Sequence, residues 1–332
     1  MITFDAKAQA ALSFLISEMT YVEQEVLRQP YPEVKYPRIV PISTAAPEYA
    51  DAIAFKTFDF AGEPALLGSK ADDIPLIETA MGKGSVSVHT YALGYDYTMI
   101  EIGKAQELAR QSRSDAINLL VEKPAATRQL MEQFLDKAFF IGDNRTQDVK
   151  TGLLNDDTVA VTSTGDHLPT GTGDLTLIEI LDSESLTTEQ KANLVLALFN
   201  NMILYVYITQ CNTIFRPTHI LLPPIQYGRL LTFRIPNTSE TLISYLTRVL
   251  GENGNSISFE PLIHLTGRGV GGVDRAMVYT RDEKYVKGHM PMGFNLQAPA
   301  TANNIKFVST GLTRVAGTEI RIPKQHLYVD GI

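Results

Sequence analysis

Residues 54–60 (AFKTFDF) and 86–99 (VSVHTYALGYDYTM) alternate apolar and polar side chains, the repeat of a half-buried β-strand. Between them lie residues 62–85 (GEPALLGSKADDIPLIETAMGKGS). Read as antiparallel partners, the two runs form one long hairpin with a loose tip. A two-stranded hairpin is marginal in water on its own, so such an arm requires a partner surface. Its aromatic residues are Phe55, Phe58 and Phe60 on one run and Tyr91, Tyr95 and Tyr97 on the other. No sequence-adjacent element covers them, and they are expected to make contacts between subunits.

At 332 residues the chain exceeds the usual size of a single core, so one large or two interlocked domains are expected. A hydrophobic content of 44% with 20% charged residues is ordinary for a folded soluble protein and argues against disorder on a large scale. The single cysteine, Cys211, rules out an internal disulfide framework and reads as a buried thiol in a reducing compartment. The first 27 residues lack the basic region of a signal peptide and carry acids that a transit peptide avoids, which predicts retention in the cytoplasm. Residues 193–208 (NLVLALFNNMILYVYI) are the most apolar stretch. They are too few to span a bilayer and are broken by Asn200 and Asn201, so a core helix is expected and no membrane.

Charge is uneven. Residues 1–200 hold 16 Lys and Arg against 29 Asp and Glu (−13), and residues 201–332 hold 13 against 8 (+5), which sum to the net −8. An acidic part and a basic part can attract each other between copies, or form two independently solvated surfaces. Overall acidity argues against sequence-specific DNA binding, which needs clustered cations on phosphate.

Elsewhere the pattern is mixed. A short amphipathic segment is expected at 8–27, followed by an extended stretch punctuated by Pro30, Pro32, Pro37, Pro41 and Pro47. Helices are expected at 101–113 and 121–141, the second with Pro124 in its first turn and Gly142 as its terminator. Thr187 and Gln190 make a capping box for a helix running to about residue 210. A buried strand at 219–222 stops at Pro223 and Pro224, helices fit 226–232 and 239–250, and residues 256–332 read mainly as strand. The class is α+β.

Chemistry finds little to rest on. Gly267, Gly269 and Gly272 spell the dinucleotide fingerprint GxGxxG, but the next residues (VDRAMVY) are β-rich, whereas the fingerprint needs a helix N-terminus for the pyrophosphate. A glycine loop between strands is expected, with no cofactor. Six scattered histidines show no HExxH and no i, i+4 pair, so no metal site is expected. The acid pairs Asp72–Asp73 and Asp156–Asp157 read as solvated loop residues. No nucleophile elbow, P-loop or activated cysteine is present, and no catalytic residue is assigned.

Three stretches together resemble one family. Residues 138–155 (AFFIGDNRTQDVKTGLLN) are similar to the junction where the long helix of a tailed-phage major capsid protein leads into a G-L-L-N turn. Residues 216–233 (RPTHILLPPIQYGRLLTF) resemble that family's central strand, paired prolines and helix, and residues 315–332 (VAGTEIRIPKQHLYVDGI) its closing strand. The resemblance implies the Hong Kong 97-type coat-protein fold. It implies an N-terminal arm at 1–50, an extended loop at 51–100, a peripheral domain at 101–186 and 305–332 with a spine helix at about 121–141, and an axial domain at 187–304. Gly267, Gly269 and Gly272 would lie near a capsomer axis. The chain would then be a non-enzymatic phage head protein, self-assembling into hexamers and pentamers of an icosahedral shell around non-specifically packaged DNA. It would be part of the virion, assembled in the host bacterial cytoplasm.

Implied partners are further copies of the chain, a portal and a decoration protein. A separate scaffolding protein is expected because the arm is too short to be a fused scaffold. Lys70, Lys83, Asn303 and Asn304 match no crosslinking motif. The rival readings are an encapsulin-like nanocompartment shell of the same fold and an unrelated soluble α+β enzyme.

Overall fold

The computed structural model describes residues 32–61, 77–110, 119–143, 145, 152–235, 238–251, 256–303 and 305–332. The expected amphipathic segment at 8–27, the hairpin tip at 62–76 and Asp72–Asp73 lie outside these residues. In chain order the elements begin with helix α1 (Tyr36–Ile39) and strands β1 (Ile42–Ser43), β2 (Ala52–Ala61), β3 (Glu78–Ser87) and β4 (His89–Thr98). After these come helices α2 (Met99–Arg110) and α3 (Leu119–Ile141), then β5 (Ala160–Ser163), α4 (Leu177–Asp182) and α5 (Thr188–Leu204). Next are β6 (His219–Leu222), α6 (Pro224–Thr232), α7 (Leu242–Leu250), β7 (Ser258–Pro261), β8 (Arg275–Tyr279) and β9 (Val286–His289). The last strands are β10 (Met292–Leu296), β11 (Ala300–Asn303), β12 (Lys306–Val315), β13 (Gly317–Ile320) and β14 (Leu327–Asp330). The class is α+β, as expected.

The chain divides into two compact units, the larger formed by Val34–Leu93, Leu130–Asn295 and Gly311–Ile332. Its centre is a five-stranded sheet in the order β5-β14-β8-β6-β7. In β6 the residues Ile220, Leu221 and Leu222 form a continuous apolar run, and all three are buried, as in a sheet covered on both faces. Ile220, Leu222, Ala276, Val278, Leu327 and Val329 point into one core, where they meet Leu177 and Ile180 of α4, Val195 and Phe199 of α5, Leu230 of α6 and Leu246 of α7. The alternate residues Leu221, Met277, Tyr279 and Tyr328 point into a second core with Leu135, Phe139 and Phe140 of α3, Ile39 and Leu153.

Local chemistry fixes the helix ends. The Thr187–Gln190 capping box is present in both directions, and a second one, Thr176 with Glu179, starts α4. Gly142 leaves α3 at φ 83°. The G-L-L-N turn then binds the end of that helix. Leu153 and Leu154 amides donate to the carbonyls of Phe139 and Phe140, and Asn155 Nδ2 donates to that of Ile141 at 2.8 Å.

Several expectations are corrected. Residues 32–51 are not extended throughout, because Tyr36–Ile39 is helical with Pro37 in its first turn, where a missing N–H is tolerated. Asp136 of α3 accepts from the Lys35 and Tyr36 amides at 2.7 and 2.8 Å, supplying the anion that this helix start lacks in sequence. Helix α3 begins at Leu119, which puts Pro124 inside it rather than in its first turn. Helix α5 runs into a π-helical turn, Tyr205–Gln210, so the continuous helix Thr188–Gln210 reaches membrane-spanning length. One side of it, including Val195, Leu198, Phe199 and Met202, is nonetheless in the protein core.

The smaller unit is formed by Met1–Glu33, Gly94–Gln129 and Leu296–Thr310. Among its described residues, β11 pairs antiparallel with β12, and β4 also pairs with β12. Lys123 of α3 donates to the Asp96 carbonyl at 2.7 Å and lies 4.9 Å from the Tyr97 ring centre.

Candidate assembly surface

The partner of β2 is β3, not the 86–99 run. Ten residues pair in antiparallel register, from Ala52↔Ser87 to Ala61↔Glu78. Strand β3 reads ETAMGKGS over most of its length, a glycine-containing stretch of low β propensity that does not announce itself. The 86–99 run instead supplies the last two residues of β3 and all of β4. Tyr91, Tyr95 and Tyr97 therefore lie off the hairpin. Tyr91 packs against Phe134 with ring centres 4.7 Å apart and planes tilted by 59°, Tyr95 meets Tyr97 edge-on at 5.2 Å, and Tyr97 is buried.

Register also splits the three phenylalanines. Successive strand residues alternate faces, so Phe58 and Phe60 share one face and Phe55 belongs to the other. The Phe55 ring lies over Gly84, where any Cβ would overlap it. Phe58, Phe60 and Met81 are 60%, 71% and 65% exposed, and Phe58 and Met81 are a cross-strand pair. Clustered large apolar side chains at this exposure are a feature of interaction surfaces in general. Directly beside them, Lys56 opposes Lys83. The hairpin root is latched by Arg314, which donates to Asp51 Oδ1 at 3.0 Å and to the Glu48 carbonyl at 3.1 Å.

The glycine loop joins β7 to β8. Gly267 and Gly272 have φ of 63° and 82°, while Gly269 is at −69°. The loop leads into a strand, and its amides already hold this chain's own carboxylates. Gly267 N donates to Asp274 Oδ1 at 2.8 Å and Val270 N to Asp330 Oδ2 at 2.9 Å. A Cβ on Gly269 would lie 2.7 Å from Val273 Cγ2 and 2.9 Å from the Asp330 carboxyl carbon, so a side chain there would have to displace them. The loop thus leads into a strand rather than an α-helix, and its Gly267 and Val270 amides are already occupied, unlike those of a pyrophosphate cradle. Its exposed tip carries Val270, 76% accessible.

Other residues weighed for chemistry resolve as structural groups. Cys211 is buried and donates to the Lys324 carbonyl at 3.0 Å, and burial raises its thiol pKa, away from the reactive thiolate. His326 is fully buried and His219 is partly so, and desolvation pushes both down to about 4. His264 and Asp136 form a pair at 2.9 Å, and His289 and Glu319 another at 2.5 Å. The Glu319 carboxyl resists the upward pull of burial and is held low by His289 and Arg321. Among the described residues no three His, Cys, Asp or Glu side chains are grouped to hold a metal ion.

Known capsids share this architecture. The chain is similar to the capsid of Myoviridae phage XM1, with 15% identity, 95% of this chain and 98% of that chain covered, and a TM-score of 0.74. A structure from Mycobacterium phage Ogopogo is similar at 13% identity, covering 96% and 98% with a TM-score of 0.58. The capsid of an empty GTA particle is similar at 10% identity, covering 95% of each chain with a TM-score of 0.58. No curated protein matches the sequence. The family model described as major capsid protein matches residues 62–332. The chain belongs to the major capsid protein family of tailed phages and has the Hong Kong 97-type fold.

Proposed function

We propose that many copies of this chain close into hexamers and pentamers and then into the icosahedral shell of a phage head around non-specifically packaged DNA. The role is structural, with no catalysis and no cofactor. The observation that carries this reading is the family match over 62–332 together with the exposed hairpin face of Phe58, Phe60 and Met81, which a monomer leaves in water. A closed shell needs heterologous contacts repeated about rotation axes, and a projecting hairpin supplies contact area beyond the compact units.

In this reading residues 1–50 act as an arm and 51–100 as an extended loop. Residues 101–186 and 305–332 form a peripheral domain and 187–304 an axial domain, with Gly267, Gly269 and Gly272 presenting a loop near a capsomer axis. The shell is assembled in the host cytoplasm with a separate scaffolding protein and a portal, and is covered by a decoration protein. Electron microscopy and light scattering of the expressed full chain test it. Capsomers, tubes or shells are expected, whereas a clean monomer, with or without a scaffolding partner, overturns it.

A further inference from the structure

The β2–β3 register sorts the hairpin into two chemically different faces. Lys56, Lys83, Phe58, Met81 and Phe60 fall on one face, and the acidic position 78 falls on the other. Two lysines directly opposite each other repel, and neither has an ion-pair partner among the described residues. This face is therefore both cationic and apolar, and a single surface that satisfies it must be both acidic and apolar.

The larger unit carries an apolar groove whose lining residues have acidic neighbours in the chain. Residues 152–200 hold eight carboxylates and one lysine (−7). Within this stretch lies an open groove of about 520 Å³ lined by Leu175, Leu186 and Leu194, with Gln190 on its wall. Glu184 sits between the groove-lining Ser183 and Ser185, and Glu189 directly precedes Gln190. Both are exposed, and neither has a hydrogen-bond or ion-pair partner among the described residues. Their neighbours are already engaged, Asp182 with Arg229 at 3.2 Å and Asp174 with the Gly165 amide at 3.1 Å.

We infer that this leucine groove is the receptor for the hairpin of a second copy of the chain. Phe58 and Met81 enter the leucines, and Lys56 and Lys83 pair with Glu184 and Glu189. The inference rests on the assembly reading above and adds to it which face docks and where. Two free cations meet two free anions, so the contact removes the Lys–Lys repulsion while covering the exposed side chains. Phosphate is a poorer occupant for the hairpin face because it leaves Phe58, Phe60 and Met81 in water.

The test uses the full chain expressed to form particles. Lys56→Glu with Lys83→Glu, and separately Glu184→Lys with Glu189→Lys, should each abolish particles, and the four changes together should restore them. In a second measurement, Met81→Cys and Gln190→Cys in one chain should give an intermolecular disulfide in particles under mild oxidation, with Cys211 left in place because it is buried. Particles that form with either charge reversal, or that assemble without this cross-link, overturn the docking assignment and leave the shell reading intact. Particles that form with Lys56→Glu and Lys83→Glu but lose only their DNA overturn it in favour of a nucleic-acid face. If the unaltered chain forms no particles, the shell reading itself fails and the docking inference falls with it.

Discussion

Arg275 and Asp330 form a two-pronged ion pair, Nε to Oδ1 at 2.6 Å and Nη2 to Oδ2 at 3.0 Å, with side chains only 8% and 11% exposed. Arg275 Nη1 also donates to the Leu154 carbonyl at 2.9 Å, and its guanidinium lies 4.6 Å from the Tyr328 ring centre. Since Asp330 holds the Val270 amide as well, the ion pair ties the glycine loop, β8, β14 and the G-L-L-N turn together.

Removing one partner of a buried pair leaves the other charged and desolvated. Asp330→Ala is expected to cost about 3–5 kcal/mol in urea unfolding. Arg275→Met combined with Asp330→Leu should recover much of that loss, because both charges go together. A cost for Asp330→Ala below about 1 kcal/mol, the range of exposed pairs, would show that the pair does not hold the loop.

Acid should unfold the protein through its buried histidines. The His326 ring is pushed from 6.5 down to about 4 by burial, so the unfolded chain takes up the proton first as pH falls. Its stabilising contribution is complete above about pH 6.5 and is lost progressively down to about pH 4, amounting to about 3 kcal/mol. His219, also at about 4, titrates in the same window. Urea midpoints measured across this range should therefore fall with pH, and His326→Gln should flatten the slope by one proton. An unchanged slope would place His326 in contact with water.

The G-L-L-N turn should tolerate no side chain at its glycine. A Cβ on Gly152 would overlap the Phe140 carbonyl carbon and lie 2.5 Å from the Ile141 nitrogen, both backbone atoms that cannot step aside. Gly152→Ala is expected to cost about 1–3 kcal/mol by overpacking. Asn155→Ala, which strips partners from the Ile141 carbonyl and the Gly152 amide, should cost about 1–3 kcal/mol. Circular dichroism during thermal unfolding reads both, and a neutral Gly152→Ala would mean that the turn can open.

Excising the hairpin should separate folding from assembly. Ile53 and Val86 face each other in the register, so an Asn-Gly turn can replace residues 54–85 without stretching the chain. The variant keeps both cores and should retain near-native helical content by circular dichroism. It should form no closed shells in electron microscopy. Normal shells, or a chain that cannot fold, would show that the hairpin is not an intersubunit arm.

Features that depend on neighbours a few residues apart are legible in the chain alone. Thr187 with Gln190 starts α5, Gly142 ends α3, and HILL before two prolines is a strand buried on both faces, because caps, breakers and apolar runs act locally. The residues after Gly272 read as a strand, and β8 begins at Arg275. Strand partners are not legible, because alternation gives a residue its face but not its neighbour. The aromatic 86–99 run looks like the better partner for β2, yet β4 pairs with β12, more than two hundred residues away, and the plain ETAMGKGS segment closes the hairpin. Folding of the whole chain is needed to bring Asp330 to the Val270 amide across sixty residues, and the β2–β3 register is needed to put Phe55 on one face and Phe58 with Phe60 on the other. Long-range pairing is decided by what the whole fold must bury and satisfy, which no local window of residues contains.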